Sequence, residues 1–397
     1  MDFNFTDEQQ LLADTVRRFV REHYSFEARR EILKSKEGWS RELWQQLAGL
    51  GLTALNVPEA HGGLGAGPVD TMLVMNALGE GLVLEPYLSA AVITPALLNS
   101  IGDEKAAADL LPAIAAGERI VIVAHQEPKT RGEVNHVATR AEKNGDGYVL
   151  DGHKSVVMHG GTADEFLVSA RTSGKTGDRD GISVFRLAPG ASGLKTKIYR
   201  TIDEQQAADL ELTKVKVPAT ALVGAEGRAF PAIEAAYDLG LSAICGEAVG
   251  IMKAVNAATL EYTKNRKQFG QPIAKFQVLQ HRMADMFLNA EQATSMSYLA
   301  ALKCNGSDAA ERRRALSAAK VAVGQAGRFV GQQAIQLHGG MGMTDELIVS
   351  HYFKRLTAIN TTFGDAQHHL ARFSDTMDAA EAAPQKSAPV AQTAAAD

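Results

Sequence analysis

Between Arg119 and about Gly224 this chain stops reading as helix, and from Ala229 it starts again; that double switch restricts the fold more than any other feature. Ahead of it, Leu11, Leu12, Val16, Phe19 and Val20 fall on one stripe of a 3.6-residue period. The stripe is entered through Thr6 with Gln9 three residues on, the pairing of a capping box. Inside the switch, Ile120-Val-Ile-Val, Tyr148-Val-Leu, Phe166-Leu-Val-Ser-Ala, Ile182-Ser-Val-Phe and Asp209-Leu-Glu-Leu are short β-rich runs, separated by turn signals such as Asn144-Gly-Asp-Gly. Behind it, helical patterns are punctuated by Gly270-Gln-Pro, Gly306-Ser-Asp and Gly339-Gly-Met-Gly. The expected fold is α+β and mainly helical. It has an N-terminal helical domain over 1–116, a middle β-barrel or sandwich domain over 117–225, a C-terminal four-helix bundle over 226–378, and a disordered tail of Ala, Pro, Gln, Ser and Thr over 379–397.

Bulk properties exclude several functions. A net charge of −5 with Lys, Arg, Asp and Glu evenly spread gives no basic stripe, so nucleic acid is not an expected partner. No uninterrupted apolar run reaches the eighteen or so residues of a membrane span, and the first residues do not read as a leader. Cys245 and Cys304 offer neither a disulfide framework nor metal-ligand spacing, which points to a reducing cytoplasm and no metal.

Glu247 is the only carboxylate between Asp238 and Lys253. Its helical neighbours Ala243, Ile244, Gly250 and Ile251 are small or apolar, so an unpaired acid there sits on a desolvating face. Burial of that kind raises a Glu toward neutrality, as a proton-abstracting base requires. The alternative is an ion pair with an Arg or Lys from a neighbouring helix.

Five strings occur in order: Leu52-Thr-Ala-Leu-Asn-Val-Pro-Glu-Ala-His-Gly-Gly-Leu-Gly, Glu127-Pro, Asn265-Arg-Lys-Gln-Phe-Gly-Gln-Pro-Ile, Phe276-Gln, and Gln336-Leu-His-Gly-Gly-Met-Gly. With them the chain resembles the acyl-CoA dehydrogenase family over about residues 1 to 375. The resemblance implies FAD in a cleft between the β-domain and the C-terminal bundle, an acyl-CoA substrate that loses its α-proton to a carboxylate and its β-hydride to flavin N5, and an electron-transferring flavoprotein as oxidant. It assigns Arg266 to the FAD pyrophosphate of a neighbouring subunit, where a planar cation suits phosphate oxygens. Phe269 is expected near the adenosine, and Gln336, Gly339 and Gly340 where backbone approaches the nucleotide; Gln268, Phe276 and Gln277 complete the cofactor-binding set. An oligomer, of identical chains or with a homologous large subunit, follows from motifs that serve a neighbour's nucleotide.

Departures from the family pattern matter as much. The usual base position near the C-terminus holds Gly364, and an alternative position on the long helix holds Gly240. A third pattern fits Cys245-Gly-Glu-Ala-Val-Gly, placing the base at Glu247; Asp365 is the alternative, and a base on a partner chain is another. Val156-Val-Met158 replaces the Trp-x-Thr wall of the flavin, and Arg131-Gly-Glu replaces a Gly-Ser-Asp turn. Such losses fit a subunit that lends Arg266 and the glycine loop to a flavin held mainly by its partner, and over the whole chain the resemblance is to the small subunits of the family's two-component members, which implies a dicarboxylic chain such as pimeloyl-CoA. Two other readings stand beside the dehydrogenase: a non-catalytic subunit completing a homologous partner's FAD site, and a flavin monooxygenase or oxidase on the same fold. Gln367-His368-His369 is not expected to bind metal, because adjacent histidines on a helix point apart.

Overall fold

Thr6 caps the first helix as its spacing predicts: its side chain accepts from Gln9 N–H, and Gln9 answers to the Thr6 backbone. A computed structural model describes residues 5–130 and 132–381 of the chain. The N-terminal part comprises α1 (Asp7–His23), α2 (Phe26–Lys34), α3 (Arg41–Gly49), α4 (Pro68–Glu80), α5 (Thr94–Ser100) and α6 (Glu104–Ala115). Trp44 of α3 is fully buried and donates its indole N–H to Gly117 O at 2.9 Å, pinning α3 to the exit of this part.

The β-runs become β1 (Val121–Ala124), β2 (Arg140–Asn144), β3 (Gly147–Met158), β4 (Glu165–Arg171), β5 (Ile182–Leu187), β6 (Leu194–Arg200), β7 (Gln206–Pro218) and β8 (Leu222–Val223). They form one mixed sheet in the order β6-β7-β3-β2-β4-β5-β8, with β1 parallel to β4. β4 is buried along its whole length, as a strand covered on both faces must be. β3 bulges against β7 between Lys154 and Val157, and Val156 takes φ +51° there.

The C-terminal part runs α7 (Phe230–Asn265), a tiny hairpin of β9 (Lys267–Gln268) and β10 (Gln271–Pro272), then α8 (Gln277–Lys303), α9 (Ala309–His338), α10 (Ile348–Thr361) and α11 (Ala366–Glu381). Helices α7 to α10 make the bundle, with α11 laid against α9. α7 also crosses α4 closely, because glycines stand at the crossing: a Cβ on Gly250 would lie 1.9 Å from Asn76 O. Among the described residues α7 is the one helix long and apolar enough by mean hydropathy to pass for a membrane span, but charged residues interrupt it, as expected, and 67% of its apolar stretch is buried, which marks a core helix. α11 continues to Glu381, three residues into the stretch read as a tail; residues 382–397 of that stretch lie outside the described residues.

The fold is thus α+β and mainly helical, helices flanking a β-domain. Its cleft lies where the ends of β1 and β3 meet the start of α7 and the turn after α10.

Candidate functional site

Tyr237 stands at the centre of the cleft. Its ring is held edge-on by His125 at 5.1 Å and by Phe363 at 5.2 Å. These three residues line both of two adjoining small cavities. Gly240, one turn along α7, faces the same place: a Cβ there would sit 3.2 Å from Phe363 Cζ. Among the described residues the Tyr237 hydroxyl has no hydrogen-bond partner, and burial alone pushes its pKa well up, so it remains protonated.

The turn carrying Phe363 and Gly364 is strained, with φ +59° and +95°. It is held by Lys320 of α9, fully buried, whose Nζ donates to Gly364 O at 2.8 Å, Asn360 O at 2.9 Å and Ile359 O at 3.0 Å. Burial pulls Lys320 down to about 8. A second tie comes from His369 Nε2 to Phe363 O at 2.8 Å.

The opposite wall rests on a buried ion pair. Lys154 Nζ lies 2.6 Å from Glu127 Oε1, and Glu127 also accepts from Ala138 N–H and Thr139 N–H. Burial opposes the Glu127 charge, yet Lys154 and these donors hold its pKa below the usual range; burial brings Lys154 to about 8. His125 Nε2 donates to Val134 O at 2.8 Å, and its Nδ1 meets Ser169 Oγ at 2.8 Å. Burial, with Lys154 close by, lowers this His to about 3. It is neutral, with both nitrogens engaged. Val156 keeps its left-handed backbone because Asp209 Oδ1 accepts its N–H at 3.0 Å and the Tyr199 hydroxyl at 2.9 Å. A β-branched residue in that conformation costs of the order of 1–3 kcal/mol.

The expected base is not in this cleft. Glu247 lies seven residues beyond Gly240, about 10 Å along α7. Its two oxygens accept from Arg355 of α10, Nε at 2.6 Å and Nη2 at 2.8 Å, while Arg355 Nη1 reaches Asp203 in the β6–β7 turn at 2.8 Å. Burial opposes the Arg355 charge, but the two carboxylates hold it firmly protonated. The reading of Glu247 as an unpaired, proton-abstracting acid is therefore corrected: the desolvating face is real, but a bidentate cation arrives from another helix and occupies both acceptor oxygens. Arg355 was missed by sequence reading, although a lone Arg among buried Tyr352, Leu356 and Ile359 was a legible sign of a buried charge. Asp365 lines neither cavity; it is exposed and caps α11, accepting His368 N–H at 2.8 Å. Gly364 has no room for a side chain, since a Cβ would lie 2.5 Å from His368 Cδ2.

The eight residues expected at the cofactor gather on a different surface. Arg266 caps α7, and its exposed guanidinium finds no ion pair or hydrogen bond among the described residues. Phe269 and Gly270, at φ +53° and +79°, form the tight β9–β10 turn, leaving Phe269 90% exposed and edge-on to Phe276 at 6.0 Å. Tyr262, one turn before Arg266, stacks on His338 at 4.2 Å and donates to its carbonyl, which brings Gln336, Gly339 and Gly340 beside the hairpin. Both glycines face open space. Gln268 and Gln277 are exposed on the same side.

A flavin dinucleotide fits these features in two halves. The cleft offers an apolar wall of Val156 and Met158 opposite Phe363 for a planar ring, and the α7 terminus offers a free cation and side-chain-free backbone for phosphates. Tyr237 and Arg266 are 29 residues apart on one helix, about 43 Å along its axis, farther than one dinucleotide reaches. No His, Cys, Asp and Glu cluster suited to a metal occurs among the described residues.

Comparison with known proteins agrees with this geometry. The chain matches the models "Acyl-CoA dehydrogenase, N-terminal domain" over residues 6–118, "middle domain" over 123–215 and "C-terminal domain" over 230–377. It is 30% identical over 366 residues to a short-chain specific acyl-CoA dehydrogenase of Megasphaera elsdenii, covering 89% of this chain and 94% of that one. Among solved structures it resembles butyryl-CoA dehydrogenase of M. elsdenii, with TM-score 0.85, 26% identity, and coverage of 95% and 100%. It also resembles a chain of the ChsE4-ChsE5 complex of Mycobacterium tuberculosis, with TM-score 0.84, 27% identity, and coverage of 95% and 99%.

Proposed function

This chain belongs to the acyl-CoA dehydrogenase family, an FAD-dependent oxidoreductase acting on CH–CH bonds, and on that premise we propose that it works within an oligomer in which its α7 terminus completes the flavin site of a neighbouring chain. The carrying observation is the distance between the two half-sites on α7. When bound, FAD would accept the hydride leaving the substrate β-carbon. The chain's own residues do the rest: Tyr237, Phe363 and Val156 shape the cleft, Lys320 fixes the turn over it, and Arg266 faces phosphate across the interface.

A homologous large subunit as the neighbour is supported by the absence of a free carboxylate at positions 240, 247, 364 and 365 and by the likeness to a chain of a two-chain complex. A second reading follows from the same facts: the chain is the non-catalytic member and lends only Arg266 and the glycine loop. We infer an acyl-CoA substrate and an electron-transferring flavoprotein as oxidant from the relatives. The dicarboxylic end, pimeloyl-CoA being the expected case, calls for a cation; Arg179, Arg313 and Arg372 line the larger cavity that shares Gly132, Glu133 and Val134 with one of the two cleft cavities. Cytoplasmic residence accords with Cys245 and Cys304 being free and buried.

The deciding experiment is the flavin spectrum of the chain purified alone and with its homologous chain, followed by anaerobic addition of straight-chain acyl-CoAs. Flavin held alone and bleached by substrate indicates a self-sufficient homo-oligomer. Flavin and bleaching that require the second chain indicate the two-component assembly.

A further inference from the structure

The cleft has two unlike ends. Toward α11 it continues past Gly132, Glu133 and Val134 into the larger cavity, of about 460 Å³, where Arg179, Arg313 and Arg372 stand. Toward the N-terminal helices it stops on Leu88, Ser89, Ile93 and Val123, apolar but for one hydroxyl. That hydroxyl is already committed, since Ser89 Oγ meets His159 Nδ1 at 3.2 Å. The first end suits a polar, anionic carrier and the second an apolar chain.

Ile93 closes the apolar end. The segment Tyr87–Ile93 winds as a π-helix, in which residues five apart come nearly one above the other, so Leu88 and Ile93 both face the cleft. In an α-helix they would point about 140° apart. The segment is held in place: Thr94 N–H donates to Ser89 O, the Thr94 hydroxyl meets Val121 O at 2.7 Å, and Asn56 Nδ2 donates to Ala91 O at 3.1 Å. Opposite it α7 carries Gly240, and the space a Cβ would need there is already taken by Ile93 Cγ1 at 3.1 Å and Phe363 Cζ at 3.2 Å. Farther along α7 no gap opens, because α4 packs on it: a Cβ on Gly246 would fall 2.8 Å from Met72 O. A chain that reaches Ile93 has nowhere further to run, and methylenes forced into packed interior are costly. We infer, on the dehydrogenase reading above, that Ile93 sets the length of the acyl chain this cleft takes, admitting short chains such as butyryl and refusing octanoyl.

The test measures the affinities of free CoA, butyryl-CoA, octanoyl-CoA and pimeloyl-CoA by calorimetry on the assembled holoprotein, each substitution being carried on this chain alone, and records whether each thioester bleaches the flavin. The wild type should bind butyryl-CoA more tightly than octanoyl-CoA. Ile93→Ala should raise the octanoyl-to-butyryl affinity ratio by on the order of 10- to 100-fold, as opening an apolar pocket by a methylene or two does, with free CoA bound as before. Ile93→Val, which keeps the fold if the alanine does not, should move the ratio the same way by less. Gly240→Ala, which presses on Ile93 and Phe363, should weaken butyryl-CoA but not free CoA. An unchanged ratio in folded Ile93→Ala or Ile93→Val overturns the assignment. So does a wild type that binds octanoyl-CoA or pimeloyl-CoA at least as tightly as butyryl-CoA, while bleaching by either leaves the dehydrogenase reading standing. An assembly in which no acyl-CoA binds more tightly than free CoA and none bleaches the flavin overturns that reading as well.

Discussion

At Glu247, midway along α7, the chain supplies every partner the side chain needs; at Arg266, where the same helix ends, it supplies none among the described residues. The first region is buried, crossed by α4 and α10, and closed by an Arg that bridges two carboxylates. The second is exposed, ends in a tight hairpin, and presents Phe269 and two unobstructed glycines. A buried charge with a full set of partners is committed within the chain, whereas an exposed cation beside side-chain-free backbone is left open to a ligand from outside it. On the proposed reading, the contrast divides α7 into a part that organises this subunit and a part that serves another.

The largest effect that would break this contrast comes from Arg355→Met. Removing the cation strands Glu247 and Asp203 in a buried site, and breaking a buried pair in this way costs about 3–5 kcal/mol. Urea unfolding of the assembled protein should show the loss, and Arg355→Met combined with Glu247→Gln and Asp203→Asn should recover much of it. If Arg355→Met unfolds like the wild type while losing turnover, the triad is functional rather than structural, and the division of α7 fails.

How much of this was legible in the sequence follows from which contacts are local. The capping box at Thr6, the β-runs and the Gly270-Gln-Pro turn depend on neighbours within a few residues, and they appear in the structure where the sequence placed them. The apolar face around Glu247 was legible too, because helical periodicity fixes it. The cation on that face was not: Arg355 arrives 108 residues later on another helix, and spacing along one helix cannot reveal what packs on it. Lys320 was invisible for the same reason, since its three acceptors are backbone carbonyls created only by the end of α10 and the turn beyond it. The residues expected at the cofactor lie near one another because two motifs, at the ends of α7 and α9, are joined through Tyr262 and His338.

A smaller effect separates the turn over the cleft from both ends of α7. Lys320 releases its proton near pH 8 in the folded chain and near 10.4 when unfolded. Between those values the unfolded state binds more protons, so stability contributed through this group rises with pH, by at most about 3 kcal/mol across the window. Lys320→Met should remove that rise, read as the difference between wild-type and variant unfolding free energies from pH 8 to 10.4. An identical pH profile in the two proteins would mean that the ammonium is not desolvated as the three carbonyl contacts imply.

The smallest effect on the fold sharpens the comparison most. Arg266→Gln removes a charge that touches nothing within the described chain, so its unfolding should match the wild type to within about 0.5 kcal/mol. Flavin retention should nevertheless weaken by about 10- to 100-fold, the value of a charge-assisted hydrogen bond of roughly 1.5–3 kcal/mol. Measured as flavin released on dilution, the loss should appear in the site of the neighbour rather than in the cleft of the altered chain. An assembly of Arg266→Gln chains with wild-type homologous chains locates it: if Arg266 reaches across the interface, flavin is lost from the chain that carries no substitution. A loss confined to the altered chain's own cleft would require Arg266 to act across about 43 Å of helix, and would show that the two half-sites meet in some other way.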